Sequence, residues 1–354
     1  MKRMKILYGV QGTGNGHIAR ARAMASALSK QSDVSVDFLF SGRDDKAYFS
    51  MEDFGDYQTR RGLTFTTEKG KVSHMKTALN TNPSQLWREV SEMDLEGYDV
   101  VLNDFEPITA WAAKKQNVPS IGISHQNAFR YSVPKKGASW LDQTLIQHFA
   151  PTQHHLGLHW YHFQQPILPP IVHTPKQIDN QKHDFILVYL PFEALPAISD
   201  LLQRFSNRHF ICYHPEIKEV NQQEHLTFMP LSYQNFQRDL HACHGVIANG
   251  GFELPSEALT LGKKLLLKPL DGQFEQMSNV ATLESLGLAS SMQWLDPSIV
   301  RTWLDDEPAE RVIYPNVAES IADWVVQGEW ENIAPLWSYL WEQVDFPHYA
   351  LINE

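Results

Sequence analysis

Short, almost entirely apolar segments alternate with longer amphipathic segments along the first half of the chain. The apolar segments lie at 5–10, 34–41, 62–67, 98–103 and 119–124, and helical patterns lie near 16–30, 84–94, 106–116 and 138–149. Strands without polar alternation are typical of a parallel sheet that helices cover on both faces. The pattern therefore predicts a doubly wound α/β domain.

The second half repeats this alternation. Its apolar segments lie at 184–190, 208–213, 225–229, 243–248 and 264–268, and its helical patterns near 194–204, 232–241, 254–262, 275–286 and 314–327. We predict two Rossmann-like domains facing a cleft, because strand carboxyl ends and helix N-termini point into such a cleft.

A stretch rich in proline and polar residues separates the two halves and reads as a linker. The last residues carry tryptophans at helical spacing, which favours a helix that packs across both domains. The predicted boundaries are a first domain at 1–163, the linker at 164–183, a second domain at 184–330 and the tail at 331–354.

Composition excludes several classes of function. The 354 residues suffice for two cores, and the net charge of −11 argues against an electrostatic nucleic-acid binder. The apolar run behind the basic N-terminus is too short for a signal peptide, and no stretch reaches the roughly 18 to 20 apolar residues of a membrane span. Cys212 and Cys243 are too few for a disulfide framework or a thiolate zinc site. The expected location is the cytosol.

A cluster of glycines separates the first predicted strand from the first predicted helix, in the stretch "GVQGTGNGHIAR". The dinucleotide fingerprint G-x-G-x-x-G fails because His17 stands three residues after Gly14, and the P-loop pattern fails because Asn15 follows Gly14. Two readings remain. The cluster is a tight turn, or it presents backbone N–H groups at a helix N-terminus to an anion or a polar substrate.

A second glycine turn lies in "VIANGGFELPSEAL" of the second half, where a predicted strand ends and a helix opens with Pro255 in its first turn. It indicates a second helix N-terminus that faces the cleft. Two such termini suit a diphosphate that carries a group on either side.

The motif N-G-G-F-E-L-P-S-E, followed by P-L and then E-Q-x-x-N, resembles the donor-binding region of the UDP-sugar glycosyltransferases with the two-domain GT-B fold. That family includes the lipid-I GlcNAc transferase and plant glucosyltransferases, and the motif also resembles an uncharacterised bacterial and archaeal glycosyltransferase-like group. The resemblance covers the N-terminal glycine loop and residues 246–289. It implies sugar transfer from a nucleotide-diphosphate sugar, with UDP as the expected nucleotide, to a hydroxyl acceptor, without a metal or another cofactor.

The resemblance also implies roles for individual residues of the second domain. Glu257 falls on the acidic residue that binds the ribose hydroxyls, Glu275 and Gln276 fall on the pair that reads sugar hydroxyls, and Asn279 follows on the same helix. The loop around Met229 to Leu231 falls against the base. The loop that holds the diphosphate corresponds to Gly250, Gly251, Phe252, Glu253 and Leu254.

Three of these positions depart from the family pattern. Asn249 stands where relatives carry a histidine or an arginine, and Leu254 where they carry serine or threonine. Glu253 places a negative charge near the expected diphosphate.

On the acceptor side the resemblance implies that His17 is the base that deprotonates the acceptor hydroxyl. Asp104, just past the end of a predicted strand, would orient it, with Glu106 as the alternative. The alternatives are that His17 or Asp104 caps a helix. Arg20 would meet an acceptor phosphate or carboxylate, or is simply an exposed arginine. The other acceptor-side residues are Gly12, Thr13, Gly14, Asn15, Gly16 and, on position alone, His125 and Arg130.

The histidines of "HHLGLHWYHF" have helical spacing that could bind zinc. Gly157 and the β-rich composition argue against a helix there, and no carboxylate is interleaved. We therefore expect no metal at His155, His159 and His162.

Three functions stay open from the sequence alone: a glycosyltransferase, which we favour, a nucleotide-sugar hydrolase on the same fold, and a sugar-nucleotide binding protein without catalysis. The partners expected are a nucleotide sugar and a hydroxyl-bearing acceptor. The apolar stretch "LGLHWYHFQQPILPPIV" leaves room for a glycan or a lipid-linked acceptor and for a peripheral position at the inner membrane face. The sugar, the stereochemical outcome and the oligomeric state stay undetermined.

Overall fold

The computed structural model describes residues 3–48, 50–63, 67–68, 71–72, 83–172 and 184–352. Residues 173–183 of the expected linker, and residues 64–66 of the strand expected at 62–67, lie outside the described residues. Within the described part, no helix combines the length and the apolar character that crossing a membrane requires.

The first domain is built on a parallel sheet with the order β3-β2-β1-β6-β7-β8. These strands are β1 (Met4–Gln11), β2 (Val34–Ser41), β3 (Gln58–Arg60), β6 (Val100–Asp104), β7 (Ser120–Ser124) and β8 (His154–Gly157). The helices are α1 (Asn15–Leu28), α2 (Pro83–Glu92), α3 (Pro107–Gln116) and α4 (Trp140–His148). The short strands β4 (Thr67–Glu68) and β5 (Lys71–Val72) form a separate antiparallel pair.

The sequence misplaced one of these strands and did not predict another. The third strand of the sheet is β3, upstream of the expected 62–67, and Gly62 follows it at a φ of +55°, outside the strand region. The segment at 154–157, which was tested as a metal-binding helix, pairs as a strand with β7. The histidines therefore do not share a helical face.

The second domain carries a sheet with the order β11-β12-β10-β9-β13-β14-β15, in which only β11 is antiparallel to its neighbour. The strands are β9 (Phe185–Tyr189), β10 (His209–Tyr213), β11 (Asn221–Gln223), β12 (Leu226–Met229), β13 (Gly245–Asn249), β14 (Lys264–Lys268) and β15 (Ser290–Ser291). The helices are α5 (Leu195–Leu202), α6 (Tyr233–Ala242), α7 (Glu253–Thr260), α8 (Phe274–Ser285) and α9 (Pro297–Asp305).

The two parallel sheets share one topology. In each, the first strand lies at the centre and the strand order reverses beside it, between β1 and β6 in one domain and between β9 and β13 in the other. Ligands of doubly wound folds bind outside the carboxyl ends of the strands at this reversal. The structure confirms the expected two Rossmann-like domains.

The domains are joined through buried contacts. Trp160 is fully buried, its indole N–H donates to the Ser256 hydroxyl at 2.8 Å, and its ring packs against Phe252, with centroids 4.7 Å apart. One apolar cluster runs through this contact from the first domain into the second. The relative position of the two strand-end regions is therefore set by side-chain packing.

Two C-terminal helices, α10 (Val317–Gln327) and α11 (Ala334–Trp341), return to the first domain. The α10 helix packs along α1, where Gln31 donates to Asp323 at 2.6 Å. The indole N–H groups of Trp337 and Trp341 donate to the carbonyls of Gln165 and Ile167 at 3.0 and 2.7 Å. The aromatic residues of the tail thus pack and hydrogen-bond within the protein.

Candidate active site

Strand β6 ends in a backbone reversal that points two carboxylates in different directions. Phe105, between them, adopts a φ of +53°, in the left-handed region that non-glycine residues rarely occupy. Glu106 then caps α3 by accepting from the backbone N–H groups of Ile108 at 2.9 Å and Thr109 at 2.7 Å. Glu106 is therefore the N-cap of α3 and does not orient His17. The alternative that Asp104 caps this helix is wrong.

His17 and Asp104 form a hydrogen-bonded pair. His17 Nδ1 lies 2.8 Å from Asp104 Oδ1, and the Asp104 side chain is fully buried whereas that of His17 is 14% exposed. Helix α1 is capped by Gly14 without a side-chain hydrogen bond, so His17 is not a helix cap. With Nδ1 turned to Asp104, the Nε2 nitrogen of His17 is the one available to a bound molecule.

Arg20 binds the same carboxylate. Its Nε and Nη2 groups donate to the two oxygens of Asp104, both at 2.7 Å, and the side chain is only 2% exposed. The alternative of an exposed arginine is therefore wrong. Burial alone would raise the pKa of Asp104, but the charges of Arg20 and His17 outweigh it, and the pKa lies below its usual value. Asp104 is thus a carboxylate at neutral pH.

Glu253 reaches this cluster from the second domain. It is the first residue of α7, and its carboxylate pairs with Nη1 of Arg20. Burial raises the pKa of Glu253 to about 8, with Asp104, Glu257 and Glu275 adding to the shift and Arg20 opposing it. The cluster of His17, Asp104, Arg20 and Glu253 therefore joins the domains at the cleft.

The close approach of Glu253 explains why position 16 is a glycine. A Cβ atom at position 16 would lie 2.8 Å from Cγ of Glu253, which is closer than real Cβ contacts allow. One glycine of the N-terminal cluster is therefore required by the contact between the domains, whatever binds there.

A cavity of about 310 Å³ opens between the two strand-end regions. Both domains line it, and most of the residues singled out from the sequence are at its surface. Those residues are Gly14, Asn15, Gly16, His17, Arg20, His125, Asn249, Gly251, Phe252, Glu253, Leu254, Glu257, Glu275 and Gln276.

Other candidates lie outside this lining, among them Gly12, Thr13, Asp104, Met229, Gly250 and Asn279. Asp104 is hydrogen-bonded to His17, which does line the cavity. Met229 packs against the core, and Leu231 lines the cavity instead. Asn279 supports the wall, because its amide N–H donates to the Gly250 carbonyl at 3.0 Å.

His125 joins the domains at the floor of the cavity. Its Nδ1 lies 2.8 Å from the Leu158 carbonyl oxygen and its Nε2 lies 2.6 Å from Asn279 Oδ1. Its ring stacks on Phe252 at a centroid distance of 3.9 Å. Since both ring nitrogens are engaged, His125 is a positioning group at the interface. Arg130, proposed with it on position alone, is not among the lining residues; it bonds to Asn127 and to backbone carbonyls of α4.

The histidines considered for zinc have separate surroundings. His155 lies 2.9 Å from the Thr152 hydroxyl, His159 is buried, and His162 packs edge-on against Trp337 and Trp341. Across the described ranges, no group of three or more His, Cys, Asp or Glu side chains is arranged to hold a metal ion.

An aromatic wall was missed from the sequence. Phe236 packs edge-on against Tyr189 and Tyr213, with ring centroids 5.3 and 5.2 Å apart, and Tyr233 lies nearby in the lining. Tyr189 and Tyr213 are the last residues of β9 and β10. The rule that strand ends face the cleft was enough to find these two, since Tyr213 ends the strand predicted at 208–213 and Tyr189 is the last residue but one of the strand predicted at 184–190.

Polar residues of the lining were also missed. Gln237 donates to Glu257 at 2.9 Å, and Gln126 donates from the first domain to Glu275 of the second. Arg22 lies over the Tyr233 ring, with Cζ 4.5 Å from the centroid. These pairings join segments that are distant in the chain, and no local pattern marks them.

The sequence model of Glycosyl transferase family 1 matches residues 4–308. This chain belongs to that family. Among curated protein sequences no significant match is found. The family explains the shared topology of the two sheets and the cleft between them, and the expected relationship to GT-B glycosyltransferases is confirmed.

Solved structures share the fold. MurG of Acinetobacter baumannii superposes with a TM-score of 0.58 at 14% identity, over 92% of this chain and 99% of that one. The kitacinnamycin glycotransferase gives a TM-score of 0.59 at 13% identity, over 92% and 99%. Phytolacca americana UGT2, solved with UDP-2fluoro-glucose and pterostilbene, gives 0.58 at 11% identity, over 93% and 94%. At these identities the likeness concerns the fold.

The ion cluster leads to a prediction about stability. Replacing Arg20 by Met leaves Asp104 buried without its cation, so the free energy of unfolding at neutral pH should fall by about 3 kcal/mol. The control is Arg204→Met, at an exposed arginine of the second domain, which should change it by less than about 0.5 kcal/mol. Urea denaturation followed by circular dichroism measures both.

The pH dependence of the Arg20→Met effect follows from the pKa of Asp104. In the native protein this pKa is lowered, so Asp104 contributes stability above its unfolded pKa and loses it on acidification. In Arg20→Met burial raises that pKa, and the variant gains stability as pH falls. The gap between the two proteins should therefore narrow towards acid; a constant gap between about pH 8 and about pH 4 contradicts the pairing.

Proposed function

We propose that this glycosyltransferase moves a sugar from a UDP-sugar to a hydroxyl acceptor, with His17 as the general base and without a metal. The observation that carries the proposal is that a His–Asp pair of one domain and the N-terminus of α7 in the other face a single cavity. Transfer of a sugar needs a base on one side and a site for the departing diphosphate on the other.

The acceptor step uses the first domain. Nε2 of His17 takes the proton of the acceptor hydroxyl as that oxygen attacks the anomeric carbon of the sugar. Asp104 accepts a hydrogen bond from Nδ1, holds the ring in one orientation and stabilises the imidazolium that forms. Arg20 keeps Asp104 ionised through its two hydrogen bonds and is a positioning residue.

The donor step uses the second domain. The backbone N–H groups at the N-terminus of α7 stabilise the charge that develops on the diphosphate as its bond to the sugar breaks. Glu257, oriented by Gln237, accepts hydrogen bonds from the ribose hydroxyls. The aromatic wall at Tyr189, Tyr213 and Phe236 stacks against the base.

The reaction is tested with a UDP-hexose labelled in its sugar. We expect the label to move to a hydroxyl acceptor from a panel of glycans, small phenols and lipid-linked sugars, and transfer to persist in EDTA. Release of free sugar at the same rate without acceptor would make the protein a hydrolase. Binding without turnover would make it a binding protein, and loss of transfer in EDTA with recovery on adding Mg²⁺ would contradict metal independence.

The second test concerns the proton relay. His17→Ala should lower kcat by about 10² to 10⁴ with little change in nucleotide affinity, because a general base acts on the transition state. Asp104→Asn should cost less, and the double variant should be little worse than His17→Ala, since the two residues act as a unit. Values of kcat per folded molecule are measured beside the melting temperature. Additive losses in kcat would contradict the relay.

The third test places a methyl group in the diphosphate site. Gly251 lines the cavity, and a Cβ atom built there meets no described atom within 4 Å. Gly251→Ala should therefore fold with an unchanged melting temperature but bind UDP about tenfold or more weakly, because the methyl group occupies the space of the diphosphate. Calorimetric titration with UDP measures this. Wild-type affinity in Gly251→Ala would move the diphosphate away from this turn.

A further inference from the structure

Two buried side-chain oxygens of the cavity lining, Oδ1 of Asn249 and Oε1 of Gln126, have no hydrogen-bond partner among the described residues. Gln126 begins the short 3₁₀ helix that follows β7, it is 9% exposed, and its side-chain carbonyl oxygen Oε1 is buried with no hydrogen bond from any described residue. A buried amide oxygen without a partner costs free energy, so its presence in a ligand cavity indicates that a ligand completes it.

The amide nitrogen of Gln126 contacts an acidic residue of the second domain. Nε2 of Gln126 donates to the two carboxylate oxygens of Glu275 at 3.2 and 3.3 Å, across the boundary between the domains. Glu275 also lines the cavity, near the N-terminus of α8. The carboxylate oxygens keep further lone pairs, so the two side chains together present only acceptors to a ligand.

The neighbouring amides are already engaged. Gln276 Oε1 accepts from the backbone N–H of Leu270 at 2.9 Å, and Asn279 is held between His125 and the Gly250 carbonyl. The side-chain oxygens of these two residues therefore already have partners. Gln126 and Glu275, in contrast, both keep free acceptor capacity for a ligand.

We propose that Gln126, from the first domain, accepts a hydrogen bond from a hydroxyl of the donor's sugar and reads that sugar together with Glu275. A pair of acceptors calls for a ligand that donates, and adjacent hydroxyls of a hexose supply such donors. The aromatic wall, which suits a base, is built on α6 and the ends of β9 and β10, whereas this pair is carried by the 3₁₀ helix after β7 and by α8. The assignment rests on the proposed function, because it takes the ligand to be a UDP-sugar.

The experiment separates sugar from nucleotide by comparing two affinities in each variant. The probes are UDP and a panel of UDP-hexoses including UDP-glucose and UDP-N-acetylglucosamine, and the quantity is the ratio of UDP-hexose affinity to UDP affinity. For the hexose that wild type prefers, Gln126→Ala should lower this ratio by about tenfold and leave UDP affinity within about twofold. Gln126→Met, which keeps the length of the side chain, should lower the ratio by the same factor. It replaces Gln126→Ala in the test if that variant folds poorly.

Gln237→Ala is the matched control. It also removes a cavity glutamine that bonds to a carboxylate, but that carboxylate is Glu257. It should weaken UDP and the UDP-hexose equally and leave the ratio unchanged. Melting temperatures confirm that each variant is folded.

The outcomes separate the role of Gln126 from the identity of the donor. An unchanged ratio in folded Gln126 variants, or a wild-type protein that binds UDP but gains nothing from any sugar, overturns the role of Gln126 and leaves the UDP site intact. A wild-type protein that binds neither UDP nor any UDP-hexose overturns the proposed donor and this assignment with it.

Discussion

The double hydrogen bond from Arg20 to Asp104 is the interaction on which the site depends. Asp104 is fully buried, and without the guanidinium its charge would be too costly to keep in the interior. Arg20 also pairs with Glu253, so one side chain holds the His–Asp pair of the first domain and the start of α7 in the second. The proposed proton relay and the contact between the domains thus share one buried cation, that of Arg20.

The architecture explains why these groups meet. Both sheets reverse their strand order beside a central first strand, and both reversals open toward the same cavity. Asp104 and Asn249 each end the strand next to that central strand, and helices α1 and α7 begin at the same edge. A doubly wound domain therefore supplies one half of a site, and the contact through Trp160 brings two halves together.

Much of this could be predicted from the sequence, since local patterns are strong where strands are buried on both faces. The run at 34–41 is a strand over that same range, and Asp104, placed after a predicted strand, lies beside His17. The third strand was misplaced because it is only three residues long and ends before Gly62. Such a short strand carries little periodicity, and pairing decides its position.

The contacts between domains could not be predicted. Glu253 looked like a charge misplaced beside a diphosphate, because nothing local shows that Arg20 reaches it. The link from Gln126 to Glu275 was missed for the same reason, as was the use of both nitrogens of His125. Each depends on how two separately patterned domains are set against each other.

The contact between Gly16 and Glu253 has a consequence for how this family varies. Because the space for a side chain at position 16 is already filled by the methylene chain of Glu253, the two positions cannot change independently. A relative with any larger residue at position 16 must carry a residue without a Cγ atom at position 253, such as alanine, or a different side-chain rotamer there, or a rotated α7. The two positions should therefore covary among homologues. That covariation would reveal, from sequences alone, that the two domains approach each other closely at this point.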